Sequence, residues 1–270
     1  MSPFRFAAIG DNCVDRFQPP VSRALIGGNA LNVGVQLALM GHEVRYFGAV
    51  GNDRDGERTR AALAANGVLT DRLRVTGAQT AYTDVVVTEN GERIFAHEEF
   101  GACRDYVPDE ADMAVLLTMD HVHIGWIRDA GLVRRRLAAA GVSVSQDISV
   151  QNEPVHLGVE GLSVAFGSAG DDPDRADAML ERLHGQGARL AVVTSGARGS
   201  AAFDGRTWAR AGIRPVDVVD TTGAGDSFIA GFLAAWRAGA SLQVALEAGR
   251  DRAALTCGHL GGFPQEAQPL

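Results

Sequence analysis

The sequence predicts an α/β fold on a mostly parallel sheet, and three observations carry that expectation. Short apolar runs alternate with longer amphipathic stretches along the chain. Several of those runs are too uniformly apolar for a sheet wetted on one face. Many of the amphipathic stretches open on Asp or Asn and close near Gly, the punctuation of helices. Alternation of this kind makes βαβ units on a parallel sheet.

In chain order, buried strands are expected at Phe4–Ile9, Glu43–Val50, His121–Ile124, Val142–Gln146, Leu162–Phe166 and Leu190–Thr194. Helices are expected between them at Asn29–Met40, Asp53–Asn66, Asp109–Leu117, Asp129–Ala139 and Asp174–His184. Two stretches break the pattern. Thr80–Val87 and Glu92–Glu99 alternate apolar and polar residues, and Glu89-Asn90-Gly91 between them supplies the Asn-Gly of a tight hairpin. With a short strand near residues 13–18, segment 80–99 makes a small β-lid, the kind of insertion that covers a site. No repeat, low-complexity run or Pro-rich linker divides the chain, so residues 1–270 are expected to form one domain carrying this lid, with loose ends up to Pro3 and from Pro264.

Composition excludes several chemistries. All 25 basic residues are arginine. A Walker A loop, a protein-kinase core, a pyridoxal enzyme and a Schiff-base aldolase each require a lysine, so none of the four is encoded here. The 33 acidic residues leave a net charge of −8, which disfavours nucleic acid and anionic membranes as partners. No run approaches a membrane span, and the first residues have no secretory pattern, so a cytoplasmic location is expected. Cys13, Cys103 and Cys257 lack CxxC spacing and read as buried or bystander thiols. His121-x-His123 lacks a third ligand at recognisable spacing and reads as core or surface histidine, and Arg134-Arg135-Arg136 as a solvated helix face.

The most informative stretch is Val218-Val219-Asp220-Thr221-Thr222-Gly223-Ala224-Gly225-Asp226-Ser227, followed by the apolar helical run Phe228–Trp236. An apolar strand end passing through small residues into a helix would place the amides of Gly223, Ala224 and Gly225 at the helix N-terminus. Such amides and the helix dipole form an anion site that needs no lysine. Asp226 in the same turn would repel a bound phosphate unless it has separate work, and accepting a proton from an attacking hydroxyl is such work.

At this point the chain resembles the ribokinase/PfkB family of sugar kinases, whose C-terminal signature is similar to Asp220–Asp226. The resemblance continues in order through Ile9–Asp15, Gly27–Val33, Ala49–Gly56, Val193–Gly199 and the region Ala245–Gly261. It implies a three-layer, ribokinase-like α/β/α fold, with Asp226 as catalytic base and Gly223, Ala224 and Gly225 as the anion hole. Asp15, Asn12, Gly28, Asn29, Asn32 and the lid residue Arg93 would hold the sugar, and Glu98 on the same lid could help to select it. Thr194, Gly196, Gly199, Thr222, Cys257 and Gly261 would line the nucleotide. ATP and Mg2+ are the implied cofactors, with K+ as an optional third.

One element departs from the family pattern. The Asn-x-x-Glu stretch that holds the water shell of Mg2+ reads Ser168-Ala169-Gly170-Asp171, which leaves Asp171 as the metal candidate; Asp220 is the candidate for a monovalent cation. Within the family, the runs IGDNCVD and GAGDSFIAGFL most resemble kinases of fructosyl-amines, with ribokinase, fructokinase and nucleoside kinase as alternatives. A homodimer through the lid is implied as well. Two other classes compete: a non-catalytic binding module, whose cue would be a missing Asp226, and a Rossmann dehydrogenase, whose GxGxxG after the first strand is missing.

Overall fold

The computed structural model describes residues 3–87, 93–150, 157–170 and 172–270. Its elements in chain order begin with β1 (Arg5–Ile9), β2 (Cys13–Phe17), β3 (Arg23–Gly27), α1 (Asn29–Leu39), β4 (Glu43–Gly51), α2 (Arg54–Ala65) and β5 (Leu69–Thr76). The lid strands β6 (Tyr82–Val87) and β7 (Arg93–Glu99) precede α3 (Glu110–Leu116), β8 (His121–Ile124), α4 (Ala130–Ala139) and β9 (Val144–Asp147). Next come β10 (Val164–Ser168), α5 (Pro173–Gly185), β11 (Ala191–Thr194), β12 (Ser200–Phe203) and β13 (Trp208–Ala211). The chain closes with α6 (Ala224–Arg237), α7 (Leu242–Thr256) and β14 (Gln268–Pro269).

Strand β1 is central because it is buried on both faces. Phe6 and Ala8 join a core under α1, α6 and α7 that includes Leu31, Phe228, Phe232 and Leu246. Ala7 and Ile9 point the opposite way, into a core with Met113, Leu137 and Leu180 of α3, α4 and α5. The result is the expected three-layer α/β/α sandwich. The large sheet runs β13-β12-β11-β10-β9-β8-β1-β4-β5. It is parallel from β11 to β5, and β12 and β13 pair antiparallel at one edge. The order reverses at β1, which sits between β4 and β8. A crevice opens at such a switch point, beyond the carboxyl ends of the strands.

The lid is a second sheet, β14-β3-β2-β6-β7. Strands β2 and β6 run parallel, and β6 and β7 antiparallel with a bulge between Asp84 and Val85. The hairpin tip Glu89-Asn90-Gly91 lies outside the described residues. The start of the lid is clamped to α2: Asp53 accepts from Gly56 N (2.8 Å), Thr80 N (2.8 Å) and Thr80 Oγ1 (2.6 Å). These donors outweigh the cost of burial and hold its carboxyl below the usual value.

Several expectations change. Strands β3 and β14 were not foreseen, and the C-terminal end is not loose: Gln265 brackets Ile26, its side chain bonding that residue's N and O at 2.8 Å each. No strand runs directly into α6, because β13 ends at Ala211. Val218 and Val219 are exposed, and the amides of Val219 and Asp220 bond the Cys257 carbonyl at the end of α7 (2.8 and 3.3 Å), so this stretch is tied to a helix end instead of the sheet. Arg134 is not a solvated residue. It is buried, with Nε donating to Glu160 O (3.2 Å) and Nη1 to Gln146 Oε1 (3.1 Å), whereas Arg136 does face solvent and pairs with Glu110. His121 and His123 are core histidines, engaged with the hydroxyls of Ser143 and Ser145; burial pushes both below the usual range, so they stay neutral.

Candidate active site

The N-terminus of α1 starts on Gly28, whose φ of +110° carries the chain close enough to Asn12 that an added Cβ would lie 2.5 Å from its Cα. Gly28 offers no side-chain cap. Asp11, two residues past β1, caps the helix from across the fold by accepting from Asn29 N (2.6 Å) and Ala30 N (3.3 Å); it also accepts from Trp126 N beyond β8 (2.9 Å). One carboxylate thus fixes the helix start relative to both strands of the switch point. Burial raises its pKa, and the three amides oppose that rise.

This places two amide side chains of α1 against the start of α6. Asn32 Nδ2 donates to Asp226 Oδ2 (2.7 Å), and Asn29 Nδ2 donates to Asp226 Oδ1 (2.7 Å) and to Asp147 Oδ2 (2.9 Å) at the end of β9. Asp147 is buried and held on its other oxygen by Ser149 N (2.8 Å) and Oγ (2.6 Å). Removal from water pushes the Asp226 carboxyl up, to about 8; the nearby charges of Asp147 and Asp11 add to the rise, and the two asparagines oppose it. Asp226 still keeps part of its surface exposed.

Helix α6 begins at Gly223, which adopts a left-handed φ of +73° and packs so closely on Gly262 that a side chain would not fit. Among the described residues no acceptor faces the amides of Gly223 and Gly225. The Ala224 amide differs from expectation, because it closes a turn on Thr221 O (3.2 Å). Asp220 steadies this loop, accepting from Thr222 N (2.8 Å) and Gly261 N (2.9 Å).

A cleft of about 580 Å3 lies beyond β1 and beneath the lid, lined by Asp11, Cys13, Asp15, Gly28, Asn29 and Thr222, with Phe17, Thr83, Val85 and Glu98 above and Phe100, Trp126 and Val150 at its sides. Asp15, Gly28 and Asn29 therefore reach it as expected, and Asn32 acts one layer below through Asp226. Asn12 does not line it: its Nδ2 points into the core, to Tyr46 Oη (3.2 Å) and Ala49 O (2.8 Å). Arg93 opens β7, but its side chain is outside the described part of the structure, as is Asp171. Cys13 lines the cleft as a thiol kept neutral by burial.

The remaining nucleotide candidates fall on two parts of the fold, the end of β11 with the turn after it and the loop that follows α7. Thr194 ends β11; Gly196 and Gly199 have φ of +49° and +94°, and Gly199 passes against the Ala211 carbonyl with no room for a Cβ. Cys257 contributes its carbonyl to the loop and Gly261, at φ +73°, its amide to Asp220. Asp11 and Asp147 are the site residues that sequence reasoning missed. Asp147 carried no motif, and Asp11 stood four residues before the aspartate that drew attention.

The pfkB family carbohydrate kinase model matches residues 22–124 and 157–266. The chain is 36% identical over 259 residues to fructoselysine 6-kinase of Escherichia coli (strain K12), covering 95% of this chain and 98% of that one. It is 32% identical to fructosamine kinase FrlD of Bacillus subtilis (strain 168), covering 96% and 93%. In fold it is similar to Arabidopsis thaliana ribokinase complexed with ribose and ATP, with a TM-score of 0.86 at 23% identity over 98% of this chain and 96% of that one. Among the described residues no helix is long and apolar enough to cross a membrane. By motif order, fold and these relatives, the chain belongs to the pfkB family of carbohydrate kinases and is an ATP-dependent sugar kinase.

Proposed function

We propose that the enzyme transfers the γ-phosphoryl group of ATP to a hydroxyl of a fructosyl-amine, with Asp226 as general base. The observation that carries this reading is the Asp226 carboxylate, held at 2.7 Å on each oxygen by Asn29 and Asn32, one residue beyond the Gly225 amide at the N-terminus of α6. As the acceptor oxygen forms its bond to phosphorus, Asp226 takes the hydroxyl proton, and the bond from phosphorus to the ADP oxygen breaks. The amides of Gly223 and Gly225 and the N-terminus of α6 face the charge on the phosphoryl group in flight. Ala224 contributes the turn that aims them.

The donor set fits a Mg2+ ion carried mainly by the nucleotide. Among the described residues no three Asp, Glu, His or Cys side chains gather as a metal cage, and Mg2+ in kinases is commonly bound through phosphates, waters and one or two carboxylates. Bound there, it would offset phosphate charge in a chain without lysine, and Asp171 is the carboxylate assigned to its water shell. Asp220 would share its oxygens between a monovalent cation and the amides of Thr222 and Gly261. The acceptor assignment is supported by the fructosamine and fructoselysine kinases among the relatives. Pairing of two copies through the lid is supported by the edge position of β7, where Ile94 is 49% exposed.

The test is an ATP-consumption panel over free sugars, fructosyl-amino acids and nucleosides, with and without Mg2+ and K+. Turnover highest on fructosyl-amino acids and dependent on Mg2+ is the expected result. Turnover of nucleosides or ribose alone overturns the acceptor assignment, and no turnover on any member overturns the reading as a whole.

A further inference from the structure

The lid contributes a row of polar groups that phosphoryl transfer does not use. Asp15 of β2 pairs in register with Thr83 of β6, and Thr83 with Glu98 of β7. All three line the cleft, so the row runs across its roof and ends at Glu98, about 10 Å from Asp15 at the usual strand spacing. Below the Glu98 end, the rings of Phe100 and Trp126 pack with centroids 4.5 Å apart at 33° and line the same cleft.

Among the described residues, the nearby arginines are engaged elsewhere. Arg104 pairs with Glu99 (2.9 Å), Arg128 with Asp105 (2.9 Å) and Arg16 with Asp55 (2.6 Å). Among the described residues no cation stands within ion-pair distance of Glu98. A carboxylate over a nucleotide-using cleft, with Asp11 and Asp15 in the same lining, repels the phosphates of ATP and is matched only by positive charge on the other substrate. Aromatic faces beside it suit an ammonium group as well. Resting on the functional reading above, we propose that Glu98 is a specificity-determining residue: it receives the protonated amine of the acceptor against the wall made by Phe100 and Trp126, while the sugar hydroxyls lie toward Asp15 and Asn29.

The experiment compares 1-amino-1-deoxyfructose with fructose as acceptors for the wild type, Glu98→Gln and Glu98→Arg, with melting curves to show that each variant is folded. The wild type is expected to prefer the amine. Glu98→Gln lowers that preference, as the ratio of kcat/KM for the two sugars, by about tenfold, the lower end for a charge-assisted contact because Glu98 is exposed in the open cleft. The loss falls on KM more than on kcat, and Glu98→Arg lowers the ratio further. An unchanged ratio in both variants, or no amine preference in the wild type, overturns the role of Glu98 while leaving the kinase reading intact. Wild-type enzyme that phosphorylates neither sugar overturns the functional reading, and the Glu98 assignment with it.

Discussion

Asp226→Asn separates the chemistry of the site from its binding and its stability. The substitution keeps the volume of the side chain and replaces one acceptor oxygen by a donor, which must then face Asn29 Nδ2 or Asn32 Nδ2, each now 2.7 Å from a carboxylate oxygen. Loss of the base is expected to lower kcat by about 10²–10⁴-fold, or about 2.7–5.4 kcal/mol of barrier. Stability moves with pH in a direction set by the raised carboxyl. Its folded value of about 8 lies above the ordinary carboxylate value of 3.8, so the folded state binds more protons between the two. The stability linked to Asp226 is complete below the lower value and is lost as pH rises through the upper one. The amide variant lacks this slope, so its melting temperature should gain on the wild type between pH 6 and pH 9. The assays are ADP production, calorimetric binding of sugar and nucleotide, and melting at both pH values. Turnover within threefold of the wild type refutes the base assignment, and parallel melting curves refute the raised carboxyl.

In the wild type, kcat/KM for the sugar should climb with pH up to about 8, since that parameter follows the free enzyme's base; a flat profile from pH 6 to pH 9 counts against Asp226. Asn29→Ala and Asp147→Asn should shift this limb in opposite directions. The first removes a donor to the Asp226 carboxylate, raising the limb and costing about tenfold in kcat/KM below pH 8, and the second removes a repelling charge and lowers the limb. Equal shifts of one sign would refute the separate roles of the two residues. Gly28→Ala places a Cβ 2.5 Å from Asn12 Cα at a φ of +110°, and denaturant unfolding should show a loss of at least about 1–3 kcal/mol; an unchanged midpoint would mean the loop moves freely.

Much of the fold was legible because its signals are local. The runs at Phe4–Ile9 and Leu190–Thr194 became β1 and β11, and helix starts marked by Asp53 and Asp109 have those residues as N-caps. The misses have physical causes. Strand β3 carries Gly27 and Arg23 in a pattern too short to read, and Val218-Val219 looked like a strand although its hydrogen-bond partner is the Cys257 carbonyl. Asn12 offered the amide of a sugar ligand, yet Tyr46 and the Ala49 carbonyl claim it in the core. Arg134, which reads as part of a solvated face, finds acceptors on β9 and the loop before β10.

The sequence by itself determined that phosphate would be met without lysine, because a glycine turn opening a helix with Asp226 in its first turn is a property of seven consecutive residues. It also determined a parallel sheet, since apolar periodicity is read within each segment. Only the tertiary structure decided which groups govern Asp226. Asn29 and Asn32 lie 197 and 194 residues from it, and Asp147 reaches it through the Asn29 amide. The proton affinity of a carboxyl depends on lost water and on the charges and donors around it, and no local pattern specifies neighbours that meet only when β1, β9, α1 and α6 converge. The same holds for Glu98, whose place above the cleft follows from the register of β2, β6 and β7.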